Sequence, residues 1–522
     1  MSNQDEPNHD EPGLDGPNDP DNASITRRSL LKGAAAVTAL SALPWSMRKA
    51  YAQQASPLVI IGGGTAGMAA AIFAADRGAN VIVIEKGQAV GGTLVISGGM
   101  MGASGTVFQK AKGIQDSAQQ HYDDIMKISG HTAVPEMARL WADNAGGMVN
   151  WLASIGLKIP DDQPSVGTLY DYYSVPRYHW GAQNGRSILA VMKPEFDKRV
   201  ESGRITLMTD AGAVDLIQDA KGVVNGVVVE DSNGKRSDVR GLSTLIATGG
   251  CAGNPSMFEA LHGVPLYRRA AMPSSQGMGL TLGLAAGGYL RCAENYVGYY
   301  GSIAQSDSWP STAAADMQID HRIREPWEIF VNLRGERYVR EDHPSMSERD
   351  RTNDRQPGHR FWAVFDQRVL DEAPPLIPRW SREQFLDAFN KHPMFHRGQT
   401  WSELGVRAGV DPATVQKTVV TYNEAIDKRK TDPFKREHRP VSLTRGPFYA
   451  IRSQTWTLKS YAGLGVNKDL QVTTKGGKAI PGLYAAGEVL GASTGGNGHT
   501  NGASVTPALT FGKLLGEKII KV

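Results

Sequence analysis

Three features predict an α/β fold built on a parallel sheet. The first is a glycine-rich turn at 62–67, which follows a short apolar run at 58–61 that is typical of a buried strand. The second is an alanine-rich helix expected from Thr65 to Arg77, whose N-terminus can face a pyrophosphate. The third is Glu85, which ends the next apolar run about 20 residues on, where a carboxylate binds ribose hydroxyls. Strand, turn, helix, strand and acid in this order predict a site for an adenine dinucleotide.

The composition is that of a soluble globular protein large enough for two or three domains. The chain has 522 residues, of which 41% are hydrophobic and 21% are charged. Its formal net charge of +3 at pH 7 is too small to predict nucleic acid as a partner. Cys251 and Cys292 are far apart, and the sequence has no CxxC metal pair or CxxCH haem motif. No metal is expected, and both a single disulfide and two buried free thiols remain open.

The N-terminal segment, 1–52, is expected to combine a disordered stretch with an export signal. Seven acidic residues and no lysine or arginine precede Asn22. A pair of arginines within 26–32 then opens an apolar stretch that reaches about Trp45, and a small-x-small pattern ends at Ala52, which together resemble a twin-arginine signal. A membrane anchor is the alternative, but the apolar run is shorter than the ~20 residues that span a bilayer. We expect export to the periplasm or the medium, cleavage after Ala52 and no stable membrane insertion.

The remaining chain is expected to form two domains. The predicted elements are a helical stretch at 113–156, strands at 205–208, 213–218 and 244–248, and a hairpin at 223–230 around Asn225-Gly226. Residues 265–440 are richer in Trp, Tyr, Arg and His and lack the alternation of strand and helix. They are expected to form an inserted α+β cap domain, which leaves 57–264 and 441–522 for the dinucleotide-binding domain.

A final helix is expected from Pro507 to Ile520. Thr506 followed by Pro507 is a good pair for an N-cap and a first helical turn. The positive end of this helix would then face the ligand of the preceding loop, 495–506.

Five motifs occur in order along the chain: GGGTAG with Glu85-Lys86, GGTLVISGGM, ATGG, LYAAGEV and the terminal GNGHTNGASVTPALTFG. Together they resemble one flavoprotein family, which includes soluble fumarate reductases, urocanate reductases and 3-ketosteroid dehydrogenases. The resemblance covers nearly all of 57–520 and implies a Rossmann-type, glutathione-reductase-like FAD domain with a mobile inserted cap and substrate held between the two. The FAD contacts that it implies are Gly62, Gly64, Gly67, Glu85, Lys86, Thr93, Ser97, Gly99, Val214, Thr248, Glu488, Ser504 and Val505.

The positions that bind substrate depart from the fumarate pattern. The fumarate reductase branch holds a dicarboxylate with two histidines and two arginines. Aligned here, those positions fall at Tyr300, near Ser345, near Tyr461 and at His499, although Arg349 and Arg351 lie close to the second. Arginine binds a carboxylate through two parallel hydrogen bonds and tyrosine does not. Fumarate itself is therefore not the expected substrate.

Tyrosines at these positions resemble the ketosteroid dehydrogenase branch instead, as do Asp171-Tyr172-Tyr173 and the Thr510-Phe511-Gly512 motif. The hypothesis is an FAD-dependent oxidoreductase that acts on a carbon–carbon bond adjacent to a carbonyl. Tyr300, Tyr461 and His499 are the expected donors to the developing oxyanion, and one of them, or Tyr173, must also exchange a proton. A tyrosinate base would require a pKa well below the ~10 of a free phenol.

Two other functions remain open. One is a reductase of an unsaturated mono-acid, with Arg324 or Arg349 as the anchor. The other is a non-catalytic electron relay, which would need no enclosed pocket. Because the sequence has no haem motif, a quinone, a separate cytochrome and oxygen all remain possible electron partners.

Overall fold

The computed structural model describes residues 56–168, 170–267, 270–296 and 298–519. The expected disordered stretch and export signal, 1–52, lie outside these residues. The described helices are α1 Thr65–Asp76, α2 Val107–Ala111, α3 Ala118–Ile128, α4 Pro135–Ser154, α5 Gly185–Glu201, α6 Pro255–His262, α7 Met278–Ala285, α8 Met346–Asp354, α9 Gln367–Glu372, α10 Arg382–Lys391, α11 Trp401–Ala408, α12 Pro412–Asp427 and α13 Val505–Lys518. The described strands are β1 Ser56–Ile61, β2 Val81–Ile84, β3 Met101–Gly102, β4 Tyr178–His179, β5 Ile205–Met208, β6 Ala211–Gln218, β7 Val224–Asp231, β8 Arg236–Ile246, β9 Leu290–Arg291, β10 Ser302–Ala304, β11 Ala313–Asp316, β12 Ile329–Val331, β13 Arg360–Asp366, β14 Phe395–Gly398, β15 Phe448–Gln454, β16 Gly463–Leu464, β17 Gln471–Thr473 and β18 Ala479–Ala485.

An eight-stranded sheet forms the body of the larger core. Its main path runs β17-β18-β8-β1-β2-β5, and β7 pairs with both β8 and β6. The five strands from β18 to β5 are parallel, whereas β17 and the β6-β7-β8 meander are antiparallel. The apolar runs of the two central strands, 58–61 and 81–84, are buried, as expected of a parallel sheet covered on both faces. The predicted α/β class and the Rossmann-type parallel arrangement are confirmed.

Close packing of α1 against α13 brings the two ends of this domain together. A Cβ on Gly512 would overlap the carbonyl oxygen of Ala66, and a Cβ on Gly516 would lie 2.6 Å from that of Ala70. Only glycine permits so close an approach of the two helices. The N-terminal ends of α1 and α13 therefore lie near one another.

The predicted hairpin at 223–230 is wrong. Asn225 and Gly226 lie inside β7, and the turns fall on either side of that strand. In each turn an aspartate side chain, that of Asp219 or Asp231, accepts hydrogen bonds from backbone N–H groups that follow it. These aspartate turns outweigh the local Asn-Gly signal.

Two helix predictions also differ in their bounds. The stretch 113–156 forms two helices, α3 and α4, because Pro135 starts the second one as its first helical residue. The final helix begins at Val505 rather than at Pro507. Thr506 therefore lies inside α13, where its hydroxyl accepts a hydrogen bond from Gly102 N at 2.9 Å instead of capping the helix.

A second hydrophobic core surrounds an antiparallel sheet of order β12-β13-β15-β14. Strand β13 is almost entirely buried, since helices and loops cover the sheet. This α+β region supplies the inserted cap that the composition of the middle segment predicted.

Two elements cross the limits expected for the cap. Strand β15, 448–454, belongs to the antiparallel sheet, and α7, 278–285, contributes Leu280 and Leu282 to the larger core. The division into 57–264, 265–440 and 441–522 stays a prediction, and these two elements favour limits nearer 286 and 454.

Candidate active site

The glycine turn packs two strand ends against the start of α1. Gly62 has a φ of +103°, and a Cβ there would lie 2.5 Å from the carbonyl oxygen of Ala247. A Cβ on Gly67 would overlap the carbonyl oxygen of Gly62. At Gly64, the N-cap of α1, the nearest atom to a Cβ is Gly92 Cα at 3.9 Å. Backbone packing therefore requires glycine at 62 and 67, whereas Gly64 leaves the helix N-terminus open to a ligand.

Glu85 and Lys86 follow β2 at the same edge of the sheet. Glu85 accepts hydrogen bonds from Gly63 N at 2.8 Å and from Gly87 N at 2.7 Å, whereas Lys86 is exposed. Strand β6, which carries the expected FAD contact Val214, begins where Ala211 N donates to Glu85 O at 3.1 Å. Glu85 therefore lies directly against the glycine turn.

The loop that contains Thr93, Ser97 and Gly99 closes on the same turn. Gly91 N donates to Gly63 O at 2.9 Å, and Ser97 Oγ accepts a hydrogen bond from Gly99 N at 3.0 Å. Thr93 and Ser97 stay half-buried beside the open N-terminus of α1.

Thr248 and Glu488 follow two neighbouring parallel strands, β8 and β18. A Cβ on Gly62 would lie 3.1 Å from Thr248 Cα, and a Cβ on Gly487 would lie 3.2 Å from Ala66 Cβ in α1. Glu488 Oε1 accepts a hydrogen bond from Ser460 N at 2.9 Å, and desolvation raises the pKa of the Glu488 carboxyl. Both residues thus lie at the carboxyl ends of the strands, where open α/β sheets bind ligands.

The second helix N-terminus is that of α13. Ser504 is the exposed N-cap, and Val505 is the half-buried first helical residue. In the described structure neither α1 nor α13 has a capping side-chain hydrogen bond. Each helix therefore offers N–H donors and a positive end to the same cleft. The residues present fit FAD, whose pyrophosphate and reduced ring carry negative charge.

A cluster of aromatic side chains adjoins the terminal loop that precedes α13. The ring of His499 lies 4.1 Å from that of Tyr299 and 4.7 Å from that of Tyr170, measured between centroids. Tyr299 also packs on Trp456 at 4.7 Å. Tyr461 is almost fully buried and lies close enough to Tyr299 for their phenols to interact electrostatically. We call Tyr170, Tyr299, Tyr461 and His499 the phenol–imidazole cluster.

Asp350 connects this cluster to the cap. It lies on α8, and its Oδ2 is 3.2 Å from His499 Nε2, at an angle outside that of a hydrogen bond. Both side chains are buried, with exposed fractions of 1% for His499 and 6% for Asp350. A carboxylate at this distance can stabilise a protonated imidazole.

The structure separates the other two expected catalytic tyrosines from this cluster. Tyr300 belongs to the cap core, and its hydroxyl donates to Asp354 Oδ1 at 2.9 Å. Tyr173 donates to the carbonyl oxygen of Asn501 and packs against His121, with a 5.6 Å ring separation. Of the four expected catalytic residues, His499 and Tyr461 both adjoin Tyr299, whereas the hydroxyls of Tyr300 and Tyr173 donate to groups outside the cluster.

Burial sets the protonation state of these phenols. Desolvation raises the pKa of Tyr173, Tyr299, Tyr300 and Tyr461 far above that of a free phenol. The depressed pKa that a tyrosinate base would need is therefore not found at any of the four. Neutral phenols remain hydrogen-bond donors, so their chemistry here is that of polarising an oxygen.

The arginines considered as carboxylate anchors are engaged. Arg324 forms a buried pair with Glu328, with two N···O distances of 3.0 Å. Arg349 donates to the carbonyl oxygens of Ile319 and Glu341. Arg351 Nη1 donates to Ile128 O at 3.1 Å and to Asn497 O at 2.9 Å, which ties α8 to the FAD-binding domain.

Sequence reasoning missed Tyr299, Tyr170 and Asp350. Tyr299 and Tyr300 are adjacent in an extended segment, where neighbouring side chains point to opposite faces, so only one of them can face the cleft. The adjacent tyrosines indicate that one of them faces the cleft. Which of the two does so depends on how the segment packs against β15 and the residues after it. Asp350 follows Arg349 and lies near the position that aligns with the proton-donating arginine of the fumarate reductases. No local sequence pattern distinguishes it from the neighbouring charged residues.

A parallel sheet with two open helix N-termini at the carboxyl ends of its strands defines a dinucleotide-binding fold, and the phenol–imidazole cluster adjoins it. Comparison with known families is specific: residues 58–505 match the FAD binding domain family FAD_binding_2. The chain belongs to this family, and FAD is its cofactor. Residues 24–44 match a twin-arginine translocation signal, which confirms the predicted export by that route to the periplasm or beyond.

Known relatives include enzymes with charged and with uncharged substrates. The chain is 27% identical to a fumarate reductase (cytochrome) of Shewanella frigidimarina, over 89% of this chain and 77% of the relative. It is 25% identical to a vinyl phenol reductase of Lactiplantibacillus plantarum, over 84% of this chain and 90% of the relative. The solved structure of a 3-ketosteroid-Δ4-(5α)-dehydrogenase from Rhodococcus jostii RHA1 shares the fold, with a TM-score of 0.65 at 23% identity over 90% of this chain and 98% of that one.

The described residues also test for a disulfide, for a metal site and for a membrane-spanning helix. Cys251 and Cys292 are buried free thiols, so of the two alternatives the structure has the unpaired one. Within the described ranges no cluster of three or more His, Cys, Asp or Glu side chains could hold a metal ion. No described helix combines the length and apolar character that crossing a membrane requires.

Proposed function

We propose that this protein oxidises or reduces a carbon–carbon bond next to an uncharged carbonyl, as ketosteroid and cyclic-ketone dehydrogenases do. The observation that carries the proposal is the phenol–imidazole cluster, in which the ring of His499 packs on that of Tyr299 at 4.1 Å and Tyr461 lies close to Tyr299. Neutral donors suit a ketone oxygen, whereas two carboxylates would need permanent cations. The vinyl phenol reductase relative shows by its name that the family also accepts a substrate without a carboxylate.

The roles of the residues follow from their protonation and position. FAD, when bound, supplies the hydride acceptor or donor. Tyr299 and Tyr461 donate hydrogen bonds to the substrate oxygen, and this stabilises the enolate-like charge that develops there. His499 exchanges the proton at the carbon next to the carbonyl, since an imidazole can both accept and donate a proton. Asp350 stabilises the imidazolium that forms when His499 takes up the proton.

The direction of the reaction depends on an external electron partner. We infer that a quinone, a separate cytochrome or oxygen accepts or supplies the electrons. Export by the twin-arginine route places this exchange outside the cytoplasm.

A reductase of an unsaturated mono-acid is the second candidate, because the relatives include enzymes named for fumarate. Its expected anchors are occupied, since Arg324 is paired with Glu328 and Arg349 with two backbone carbonyls. A non-catalytic relay is less well supported, because buried polar groups from both domains converge at His499 and Asp350.

The test is anaerobic mixing of the dithionite-reduced holoprotein with four acceptors: a cyclic enone, 4-vinylphenol, cinnamate and fumarate. We expect the enone, and to a lesser degree 4-vinylphenol, to reoxidise the flavin, which is followed by its absorbance. Oxidised protein mixed with a saturated cyclic ketone tests the opposite direction. Reoxidation by fumarate alone, or by cinnamate and fumarate together, would overturn the proposal.

A further inference from the structure

The segment that carries Tyr299 is held from the cap by one carboxylate, whose side chain is 9% exposed. Asp354, at the end of α8, accepts hydrogen bonds at Oδ1 from Gly298 N at 3.0 Å and from the Tyr300 hydroxyl at 2.9 Å. Gly298 N is also 3.2 Å from Oδ2. The two donors belong to the residues on either side of Tyr299. Asp354 therefore fixes the backbone and the flanking side chain of Tyr299, whose ring packs on that of His499 at 4.1 Å.

The opposite side of this segment is fixed by the two residues that follow β15, Thr455 and Trp456. Tyr299 and Trp456 exchange backbone hydrogen bonds, at 3.1 and 3.0 Å. A Cβ on Gly298 would overlap Thr455 Oγ1 and lie 2.9 Å from Asp354 Oδ1. The segment is thus clamped between Asp354 and 455–456, with no room for a side chain at Gly298.

Helix α8 supplies two carboxylates one turn apart. Residues four apart in a helix lie on the same face, so Asp350 and Asp354 point the same way. Asp350 approaches His499, and Asp354 holds the segment that carries Tyr299. One helical face therefore sets the relative position of the imidazole and the phenol.

We propose that Asp354 is a positioning residue, which acts through Gly298 and Tyr300 to hold the Tyr299 phenol in register with His499. The inference rests on the proposed function, because it assigns Tyr299 a role in the reaction. Asp354 itself does not touch the cluster's reacting atoms. Misplacement of a positioned group by about 1 Å can cost about 100-fold in rate, which sets the scale of the expected effect.

The clamp on this segment does not require a charged Asp354. Desolvation raises the pKa of the Asp354 carboxyl to about 6, while the His359 ring, whose Nδ1 lies 4.0 Å from Oδ1, and hydrogen bonds from Gly298 and Tyr300 oppose that rise. The titratable groups that face it are Asp350 on its own helix, His359 beyond it, Tyr296 and Tyr300 on the clamped segment, and Tyr338 and Tyr461 from two further segments. Both hydrogen bonds end at Oδ1, so a carboxyl protonated at Oδ2 still accepts them, and the clamp persists on either side of about pH 6.

The experiment compares Asp354→Ala with Asp354→Asn and with a matched control, Asp366→Ala. Asp366 is a fully buried carboxylate of the same cap, and it accepts backbone hydrogen bonds from Val369, Thr444 and Arg445 at 2.9 to 3.0 Å. Asparagine keeps an acceptor oxygen for Gly298 and Tyr300, so it should rescue the position of the segment. Each variant is studied as holoprotein, with its melting temperature and FAD content measured first.

Amide hydrogen exchange of the peptide that contains Gly298 to Gly301 measures how firmly this segment is held, and the measurement needs no substrate. We expect faster exchange there in Asp354→Ala, and exchange close to that of the unsubstituted protein in Asp354→Asn and Asp366→Ala. In turnover with a neutral enone, Asp354→Ala should lower kcat by about 10- to 100-fold with a smaller change in KM. Asp354→Asn should stay within about threefold of the unsubstituted protein, because the amide keeps the acceptor oxygen.

The outcomes separate this inference from the proposed function. Unchanged exchange at 298–301 in Asp354→Ala, or equal kinetic losses in Asp354→Ala and Asp366→Ala at matched stability, would overturn the positioning role. Equal impairment of Asp354→Ala and Asp354→Asn would also overturn it, because the charge and not the clamp would then matter. Faster exchange in Asp354→Ala together with no turnover of neutral substrates by the unsubstituted protein would instead refute the proposed function.

Discussion

The cofactor cleft and the phenol–imidazole cluster lie side by side but are built in opposite ways. The cleft is made of backbone: glycines at 62 and 67 admit neighbouring carbonyls, and two helix N-termini point their N–H groups into it. The cluster is made of side chains from distant segments: Tyr170 and Tyr299 pack on His499, and Tyr461 lies close to Tyr299. A cleft made of backbone can hold the same cofactor throughout a family, whereas a cluster made of side chains can change its ligand by single substitutions.

The largest expected effect is the loss of FAD binding when the glycine turn of the cofactor cleft is substituted. In Gly67→Ala, the new Cβ would overlap the carbonyl oxygen of Gly62, so the turn must move and FAD binding should fall by at least about 100-fold. Fluorimetric titration of the apoprotein with FAD measures this loss. Gly147→Ala is the control, because a Cβ there meets nothing within 4 Å and the residue lies inside α4. Normal FAD affinity in Gly67→Ala would show that the turn does not need its close backbone contact.

The next largest effect is expected when the imidazole of His499 is removed. His499→Ala should leave FAD bound and slow flavin reoxidation by a neutral enone by about 100- to 10,000-fold, because the proton donor is lost. Stopped-flow absorbance of the flavin measures the rate. Asp350→Asn should cost less, since it removes only the charge that stabilises the imidazolium. An unchanged rate in His499→Ala would remove this residue from the mechanism.

A paired substitution tests which adjacent tyrosine belongs to the site. Tyr299→Phe should lower kcat/KM by about 10- to 100-fold, because one donor to the substrate oxygen is lost. Tyr300→Phe removes only the hydrogen bond to Asp354 and should cost less than Tyr299→Phe. Steady-state kinetics of the two variants decides between the residue expected from the sequence and its neighbour. A larger loss in Tyr300→Phe would reverse the assignment.

A smaller effect is expected where the cap meets the FAD-binding domain. Arg351 donates to the carbonyl oxygens of Ile128 and Asn497 and pairs with the half-exposed Glu348 at 2.7 Å. Arg351→Ala should raise KM by about three- to tenfold with little change in kcat, because cap closure and not the chemistry is weakened. Glu348→Ala is the matched control and should stay near the unsubstituted values. A fall in kcat without a change in KM would place Arg351 in the chemical step.

The smallest effect concerns stability against pH. Because the pKa of Asp354 is raised by burial to about 6, the folded protein favours the protonated carboxyl. This contribution to stability is present below the pKa of the unfolded chain and is lost as the pH rises through about 6. The melting temperature of Asp354→Asn should therefore exceed that of the unsubstituted protein by a few degrees at pH 7.5, and the gap should narrow by pH 5. A gap that widens toward pH 5 would contradict the assigned pKa.

The same contrast explains what the sequence could predict. Gly62, Gly67 and Glu85 act through local turns and strand ends, so their order along the chain predicts the cleft. Tyr299 depends on how 298–300 pairs with Trp456, a contact across more than 150 residues, and no local pattern selects it over Tyr300. The hairpin prediction failed for a related reason, since the aspartates on either side of β7 form the turns and Asn225-Gly226 does not.

The most direct test of the central claim uses two unreactive ligands that differ in charge. The oxidised holoprotein is titrated with 4-ethylphenol and with succinate, and binding is followed by perturbation of the flavin spectrum, for the unsubstituted protein and for Tyr299→Phe. We predict that 4-ethylphenol binds at least about tenfold more tightly than succinate, and that Tyr299→Phe weakens only the phenol. Tighter binding of succinate, with no effect of Tyr299→Phe on either ligand, would contradict a site built from phenols and an imidazole for an uncharged oxygen.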